Sequence, residues 1–401
     1  MKKILLFAAV ALGTMSLTAQ KPEEKTQPES NKFTVVKECK ITSVKNQANS
    51  GTCWSYSAGS FLESELLRMG KGEYDLSEMF TVAHSYLDKG EKFVRLHGQI
   101  NYAQGGSFYD VLYVLKHYGA VPQEVYQGLN YGTDKNMFGE LDSGSKAFLN
   151  AIIKNPNGKL STAWKPAHRA IIEAYLGKIP ENFTYKGKNY TPKSFANMLG
   201  LNADDYISIT SFTHHPFYSQ FVLEIEDNWR WAKSYNIPIE EMMAVIENAI
   251  DKGFTVAWGT DVSEEGFTRN GIGVLTDAAT IETKGSDQAR WVGLSHADKR
   301  AEIARMVQSP TCPEINPTQE YRQKSYDNWT LTDDHGMEIY GLAKNQAGKK
   351  FFMVKNSWGE TGAYKGIWYA SWNFVAGRTM NIVVHKDAIP AAIAKKMGIK
   401  K

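Results

Sequence analysis

The sequence predicts an α+β fold, with helices early in the chain and antiparallel strands concentrated towards its end. Apolar residues recur at helical spacing from Ala58 to Leu66, directly after Cys53. Near the other end, Met337 and Ile339 alternate with polar neighbours, which predicts a half-buried strand. The length of 401 residues suits one large domain or two ordinary ones.

The ordered part of the chain is predicted to begin with a strand and two helices. Phe33–Val36 has the residue types of a short strand. The helix that starts at Cys53 is expected to stop at Gly70, because glycine readily adopts the left-handed conformation that closes a helix. A second helix begins near Ser77, which can cap it, and continues to about Leu87.

Residues 127 to about 237 are interpreted as a helical insertion at the edge of the domain. Helices are expected over 146–153 and 166–176. Thr191-Pro192 caps and opens a shorter helix that Gly200 ends. We find no catalytic chemistry in the sequence of this insertion.

The segment His214-His215-Pro216 invites a metal-site interpretation. We find no Cys or Glu at ligand spacing from it in the sequence, and no His-Glu-x-x-His motif occurs. We therefore interpret the segment as a surface turn, and we expect neither a metal nor another cofactor.

The last third of the chain contains most of the predicted strands. An apolar stripe between Ile239 and Ile250 predicts a buried helix that Gly253 ends, and 295–306 has the pattern of an amphipathic surface helix. A tail, 385–401, follows the last strand, and its residues 390–397 have a helical pattern. The strands are expected, in order, over 254–262, 335–341, 351–356, 366–370 and 380–384.

Composition and charge exclude several classes of function. The chain is 42% hydrophobic and 22% charged, as is usual for a globular protein in water. Its net charge of +3 is too small to indicate binding to nucleic acid or to a membrane surface. Three cysteines fit one reactive thiol, Cys53, and at most one disulfide, for which Cys39 and Cys312 are the available pair.

The amino-terminal residues have the pattern of an export signal. Lys2-Lys3 precede the apolar run 4–12, and small residues near position 19 fit a cleavage site, so 1–19 is predicted to be a signal peptide. Residues 20–32 form a polar leader before the domain at 33–401. We therefore expect a periplasmic or extracellular protein without a membrane anchor, since no other stretch reaches about 18 apolar residues.

The stretch from Gln47 to Ser57 carries the strongest signal of chemistry. Cys53 opens a helix, and the helix N-terminus favours a thiolate by about 0.3–2 kcal/mol, too little to ionise a thiol with a pKa near 8.5. A distant histidine is therefore predicted as the partner cation. The amide of Gln47 can join the backbone N–H of Cys53 in holding an oxyanion. A buried, inert cysteine is the alternative.

His335 is the predicted partner of Cys53, because it opens a strand that pairs with the strand leading to Asn356. The Asn356 amide can orient the imidazole without adding charge. Trp358 can cover that contact from water and so strengthen it. A core tryptophan is the alternative interpretation of Trp358, and both roles are compatible.

Gln47, the run Ser50–Trp54 and the run Asn356–Gly359 resemble the papain-like cysteine peptidases. More narrowly, the chain is similar to the bleomycin hydrolase and aminopeptidase C branch, from about residue 33 to about 386. The resemblance implies a two-lobed fold, with a helical lobe that carries the nucleophile and an antiparallel β-barrel-like lobe. It also implies that Gly105 and Gly106, which otherwise predict only a turn, let the substrate backbone approach and pair.

The resemblance implies hydrolysis of peptide bonds by Cys53, His335 and Asn356, with Gln47 as oxyanion donor. In the branch, a carboxyl-terminal arm occupies part of the cleft and gives aminopeptidase action, and ring-like hexamers form. The lysine-rich end of this chain differs from that arm. An endopeptidase with the same residues, or a peptide-binding protein without catalysis, therefore stays open as an alternative.

Overall fold

The structure is a computed structural model that describes residues 30–277 and 296–400. The predicted signal peptide, 1–19, and most of the predicted leader, 20–32, lie outside the described residues. Among the described residues, no helix combines the length and the apolar content that crossing a membrane requires.

The helices and strands follow the predicted order. The helices are α1 (Cys53–Arg68), α2 (Glu78–Arg95), α3 (Phe108–His117), α4 (Phe138–Ile153), α5 (Trp164–Leu176), α6 (Pro192–Leu199), α7 (Ile239–Asp251), α8 (His296–Met306), α9 (Gln319–Asp327), α10 (Trp372–Arg378) and α11 (Ala391–Lys396). The strands are β1 (Phe33–Glu38), β2 (Phe183–Tyr185), β3 (Lys188–Tyr190), β4 (Tyr206–Thr210), β5 (Gln220–Val222), β6 (Lys233–Asn236), β7 (Val256–Thr260), β8 (Phe267–Thr268), β9 (Ile272–Gly273), β10 (His335–Asn345), β11 (Lys350–Lys355), β12 (Ile367–Ser371) and β13 (Thr379–His385).

Local signals in the sequence explain several helix ends. The Ser77 hydroxyl accepts a hydrogen bond from the N–H of Phe80 at the start of α2, and Thr191 caps α6 in the same way. Gly200 closes α6 in the left-handed conformation, with φ of 78°. Helix α2 is longer than predicted and continues to Arg95, because its apolar face stays buried to Val94.

The two largest hydrophobic cores among the described residues define two lobes. One core joins α1 to α6, with Phe61, Phe80 and Phe138 among its fully buried side chains. The other joins α7 and the large sheet, around Trp258 and Trp368. This arrangement is the predicted α+β architecture.

The large sheet runs in the order β5-β6-β4-β13-β7-β10-β11-β12-β9-β8 among the described residues. It is mostly antiparallel, although β9 pairs parallel with β12 and β6 parallel with β4. β7 pairs with the first half of β10 and β1 with its second half. Since β5 and β8 end the order, the described sheet is open and is not a closed barrel.

Strand β10 is buried on both faces, so the prediction that it is half-buried was wrong. Met337 and Ile339 point into the core of the sheet lobe. On the other face, α1 covers the strand, and the Glu338 carboxylate accepts a hydrogen bond from the Ser60 hydroxyl of α1. Glu338, the polar residue that suggested a solvent-facing side, is instead hydrogen-bonded to a helix of the other lobe.

Helix α1 and strand β10 approach each other closely at Gly336. A Cβ atom at this position would lie 2.6 Å from the Ser57 hydroxyl oxygen and 3.0 Å from the Phe108 ring. Only glycine permits this approach. It brings the first residues of α1 and β10, Cys53 and His335, to the junction of the two lobes.

The segment 127–237 is not purely helical, which corrects its interpretation as an insertion of helices. It contains α4, α5 and α6, but its last part forms β4, β5 and β6, which belong to the large sheet. β4 pairs directly with β13. The end of this segment is therefore integrated with the sheet lobe.

The three cysteines are free thiols. Cys39 is buried beside the carbonyl oxygens of Ile250 and Phe254, whereas Cys312 is buried in a separate cluster with Ile303 and Val307. The disulfide that the sequence left open is therefore not formed.

Candidate active site

The start of α1 is fixed by Gln104, which holds the chain on both sides of Cys53. Its side-chain oxygen accepts a hydrogen bond of 2.7 Å from the N–H of Gly51. Its carbonyl oxygen accepts one of 3.1 Å from the indole of Trp54. A Cβ at Gly51 would lie 2.9 Å from the Cβ of Gln104, so the glycine allows this clamp. Cys53 is thereby held at the helix N-terminus, partly exposed.

His335 is oriented by Asn356, as the sequence predicted. The Nε2 atom of His335 lies 2.7 Å from Oδ1 of Asn356. The backbone N–H of Ser357 donates to the same Oδ1, also at 2.7 Å, which identifies this atom as the oxygen. Nε2 therefore carries the proton, and Nδ1 of the neutral ring is left with a lone pair.

Trp358 covers the imidazole. The two rings are stacked with centroids 4.7 Å apart and planes 29° apart. Trp358 also meets Trp368 and Phe267 edge to face, so it extends the core of the sheet lobe to His335. Both interpretations of this residue, as a core side chain and as a cover for the histidine, fit the structure.

Cys53 and His335 line one narrow cavity of about 30 Å³ at the junction of the lobes. The backbone N–H groups of Gly336 and Trp54 lower the pKa of the Cys53 thiol, against the effect of burial. Two carboxylates, Asp227 and Asp333, line the same cavity. The structure therefore brings the predicted nucleophile and base together, with negative charges that we did not predict.

This environment opposes separate charges on the two groups. Burial raises the pKa of Cys53 to about 12, and the carboxylates of Asp227 and Asp333 contribute to the rise. Burial lowers the pKa of His335 to about 4, against the hydrogen bond to Asn356. A thiol or imidazole that ionised alone would be disfavoured, but moving one proton from sulfur to nitrogen leaves the pair neutral.

Gln47 joins the two motif segments of the sequence. Its Nε2 donates to the carbonyl oxygen of Ser50 at 2.7 Å, and its Oε1 accepts from the hydroxyl of Ser357 at 2.7 Å. Its backbone N–H donates to the Ser357 carbonyl oxygen at 2.9 Å. These bonds use one of the two amide hydrogens and leave the other for a further acceptor.

Gly105 and Gly106 both lie against side chains. A Cβ on Gly106 would lie 2.8 Å from the indole of Trp54, so this glycine lets the loop pack on the residue after the nucleophile. A Cβ on Gly105 would lie 2.1 Å from a carboxylate oxygen of Asp227. The space in front of Gly105, which the resemblance assigned to substrate, holds a side chain of the protein itself.

Asp227 was not predicted as a site residue, and the insertion that carries it does contribute to the site. We found no chemistry in 127–237, whereas Ile225 and Asp227 line the cavity of Cys53. No local pattern marks Asp227, because only the long-range packing of its segment brings it to the site. Asp333 was missed as well, although it lies only two residues before His335.

The His214-His215 pair has an acidic partner that we overlooked. Nε2 of His214 and Nε2 of His215 lie 2.9 Å and 3.3 Å from the carboxylate of Glu224. The three side chains offer donor atoms within 4.8 Å of one another, a spacing that suits a metal ion. The statement that no Glu stands at ligand spacing was therefore wrong, although direct hydrogen bonds already account for the cluster.

A second acidic group, Glu63, Asp75 and Glu78, has its ligand atoms equally close together. The ammonium of Lys45 lies 2.6–2.7 Å from all three carboxylates. This cation occupies the position that a metal would need, so the group is a buried ion-pair network.

Comparisons with known proteins agree with this geometry. A model of the papain family cysteine proteases matches residues 28–137, and a model of the peptidase C1-like family matches residues 322–400. These two segments contain Cys53 and His335, respectively.

Aminopeptidases of lactic acid bacteria are similar over most of the chain. Aminopeptidase C of Streptococcus thermophilus is 24% identical, with 87% of this chain and 81% of that protein covered. Aminopeptidase E of Lactobacillus helveticus is 20% identical, with 86% and 81% covered. The crystal structure of PepW from Lactobacillus rhamnosis has a TM-score of 0.67 at 21% identity, covers 91% of this chain and 84% of its own, and supports the fold.

Proposed function

We propose, from the premise that this chain belongs to the papain-like cysteine peptidases of the bleomycin hydrolase and aminopeptidase C branch, that it is an aminopeptidase with Cys53 as nucleophile. The observation that carries the proposal is the cavity shared by the thiol of Cys53 and the imidazole of His335. The orientation of His335 supports it, because Asn356 holds Nε2 and leaves Nδ1 as the proton acceptor.

The proposed reaction begins when the sulfur of Cys53 attacks the scissile carbonyl carbon. The thiol proton moves to Nδ1 of His335, and the carbonyl oxygen becomes an oxyanion. The free amide hydrogen of Gln47 and the backbone N–H of Cys53 stabilise that charge. His335 then protonates the leaving amine, and a thioester joins the substrate's acyl group to Cys53.

Water completes the cycle. His335 removes a proton from a water molecule, whose oxygen attacks the thioester carbon. The same oxyanion donors stabilise the second tetrahedral intermediate. Its collapse releases a carboxylic acid and returns the proton to sulfur.

Aminopeptidase action is supported by the similarity to aminopeptidases of lactic acid bacteria. An endopeptidase is the second candidate, because the carboxyl-terminal tail does not take the place of the arm typical of the branch. Residues 385–400 do not line the cavity. Instead, α11 buries Ile393 and Ala394 in the sheet lobe, and Lys396 binds Glu241 of α7.

A pair of reporters separates these candidates. We expect an aminoacyl coumarylamide with a free amine to be hydrolysed at least tenfold faster than its N-acetylated form. Cys53→Ala should abolish hydrolysis of both. A blocked reporter that is cleaved as fast as the free one would establish an endopeptidase, and activity that survives Cys53→Ala would contradict the whole proposal.

We also propose a cellular location and an oligomeric state for the protein. The charged start and apolar run of residues 1–19 support export to the periplasm or the exterior. The resemblance to the branch supports a homo-oligomer, with a hexamer as the expected form. Light scattering of the purified protein tests the second, and the amino-terminal sequence of the mature protein tests the first.

A further inference from the structure

The segment Leu223–Ala232, which we call the wall segment, closes one end of the catalytic cavity. Ile225 and Asp227 face Cys53 and His335. On its other side the same segment lines an open groove of about 760 Å³, to which Glu226 and Trp231 belong. The wall segment therefore separates the nucleophile from the space beyond.

Buried side chains fix the wall segment at its far end. Trp229 is only 3% exposed, and its indole donates to the Asp110 carboxylate at 3.1 Å. Arg230 forms ion pairs with Asp110 at 2.5 Å and with Asp88 at 2.9 Å. Asp110 is fully buried and also accepts from the N–H of Ser107, directly after Gly105 and Gly106. Asp110 thereby connects the wall segment to the loop that contains Gly105 and Gly106.

The near end of the wall segment is also held. Glu224 accepts hydrogen bonds from His214 and His215, as described above. Asn228 forms a bridge within the segment, because its side chain donates to the carbonyl oxygens of Leu223 and Ala232 at 2.9 Å each. With both ends fixed, the wall segment is a built part of the cleft.

Asp227 is the residue of the wall that reaches the substrate path. Its carboxylate packs directly on the Cα of Gly105, where any Cβ would overlap with it. An extended peptide that continued past this point would have to pass through the carboxylate. The wall therefore blocks the path of a longer chain on this side of the cavity.

The carboxylates at this end have little local compensation. Among the described residues, no hydrogen-bond donor contacts the side chain of Asp227 or Asp333. The ammonium of Lys89 lies beneath the loop and donates to the carbonyl oxygens of Ala103 and Gly105, so its charge reaches Asp227 without a direct bond. Burial raises the pKa of Asp227 to about 6, and that of Asp333 to about 8 with help from the Asp227 charge. A cation in the cavity would relieve this repulsion.

We propose that Asp227 binds the protonated α-amine of the substrate and that the wall segment limits cleavage to a single amino-terminal residue. This inference rests on the proposed function and assigns the amine-recognition role to an internal loop. The cavity of about 30 Å³ has room for an ammonium group. Ammonium binding would also neutralise a negative charge near Cys53, so a correct substrate would favour transfer of the thiol proton.

A binding experiment tests the role of Asp227 without requiring catalysis. In the Cys53→Ala protein, calorimetry measures the affinity for Ala-Ala with a free amine and for N-acetyl-Ala-Ala. We expect the free dipeptide to bind at least tenfold tighter. Adding Asp227→Asn should remove this difference, whereas the neighbouring substitution Glu226→Gln should preserve it.

The outcomes separate this inference from the proposed function. Measurable but equal affinities for the two dipeptides in the Cys53→Ala protein would overturn the amine-binding role. A preference for the free amine that survives Asp227→Asn would overturn the assignment to Asp227. An amine preference without any hydrolysis by the wild-type protein would support the role of Asp227 and contradict the peptidase.

The thiol provides a second measurement. Because the Asp227 charge disfavours the thiolate, Asp227→Asn in the otherwise wild-type protein should speed alkylation of Cys53 by iodoacetamide at pH 7 several-fold. Glu226→Gln should leave the rate unchanged. An unchanged rate in both variants would contradict the placement of the carboxylate near the sulfur.

Discussion

A single amide decides how His335 can act. Asn356 uses one oxygen to accept from both the imidazole and the N–H of Ser357, so the ring is held with Nδ1 available for the thiol proton. This role could be predicted from the sequence, because His335 opens β10 and Asn356 follows the adjacent strand. The burial of both residues could not, since it depends on a helix from the other lobe.

Removing that amide should slow catalysis without affecting substrate binding. Asn356→Ala deletes the acceptor for a ring that becomes charged during the reaction, and hydrogen bonds to charged groups contribute about 1.5–3 kcal/mol. We therefore expect kcat to fall by about 10- to 150-fold. The affinity for Ala-Ala in the Cys53→Ala background should not change. An Asn356→Ala enzyme with the wild-type kcat would show that His335 needs no such support.

Gln47 and the Ser357 hydroxyl that binds its side-chain oxygen should contribute unequally to kcat. Gln47→Ala removes the proposed oxyanion donor and should lower kcat by about 10²–10³. Ser357→Ala removes only the hydroxyl that holds the Gln47 oxygen, and a neutral hydrogen bond of about 0.5–1.5 kcal/mol corresponds to a roughly 2- to 13-fold loss. Steady-state kinetics on the free-amine reporter measures both. Equal losses would mean that Gln47 acts only by supporting the local structure.

The pH dependence of hydrolysis should distinguish amine binding by Asp227 from the catalytic steps at Cys53 and His335. The Asp227 carboxyl has a raised pKa of about 6, so it binds a cation above that pH and loses its charge below it. Hydrolysis of the free-amine reporter should therefore decline as the pH falls through about 6. Asp227→Asn should remove this limb of the kcat/KM profile. Persistence of the limb in that variant would assign it to another group.

At the scale of elements, the contact between α1 and β10 determines the site. Gly336 allows the helix to lie on the strand, and each element begins with one of the two reacting groups. The sequence identified both elements and their first residues. It did not reveal the wall segment, because Trp229, Arg230 and Asp110 meet only after distant parts of the chain have packed.

Adding a methyl group at this contact should destabilise the fold. The Cβ of Gly336→Ala would overlap with the Ser57 hydroxyl, and overpacking of this kind costs about 1–3 kcal/mol of the free energy of unfolding. The second substitution Ser57→Ala removes the nearest atom and should restore part of the loss. Urea denaturation measures the three proteins. A Gly336→Ala protein of wild-type stability would show that the lobes are less closely packed than described.

At the scale of the whole molecule, the resemblance assigns aminopeptidase specificity to the carboxyl-terminal tail, whereas we propose that the wall segment provides it. The tail was predicted to contain a helix, and α11 is present, but its apolar side joins the sheet lobe. Ile399 donates its N–H to the carbonyl oxygen of Ala394, which closes the helix. The amine-recognition role is then left to a residue of the insertion, as we propose for Asp227.

Shortening the tail provides a test of this assignment. A chain that ends at Ile399 lacks Lys400 and Lys401 and moves the terminal carboxylate by two residues. We expect its ratio of activity on free and blocked reporters to equal that of the full chain. A marked loss of the preference for the free amine would return the recognition role to the carboxyl terminus.

The meeting of α1 with the middle strand of the sheet also determines when the proposed active site can assemble. The sulfur is made early and the imidazole late, and the strand that carries the imidazole needs partners from both sides before it can be buried. During synthesis, Cys53 therefore remains without its proposed partner until most of the chain is available. The proposed activity therefore belongs to the folded chain and not to its nascent forms.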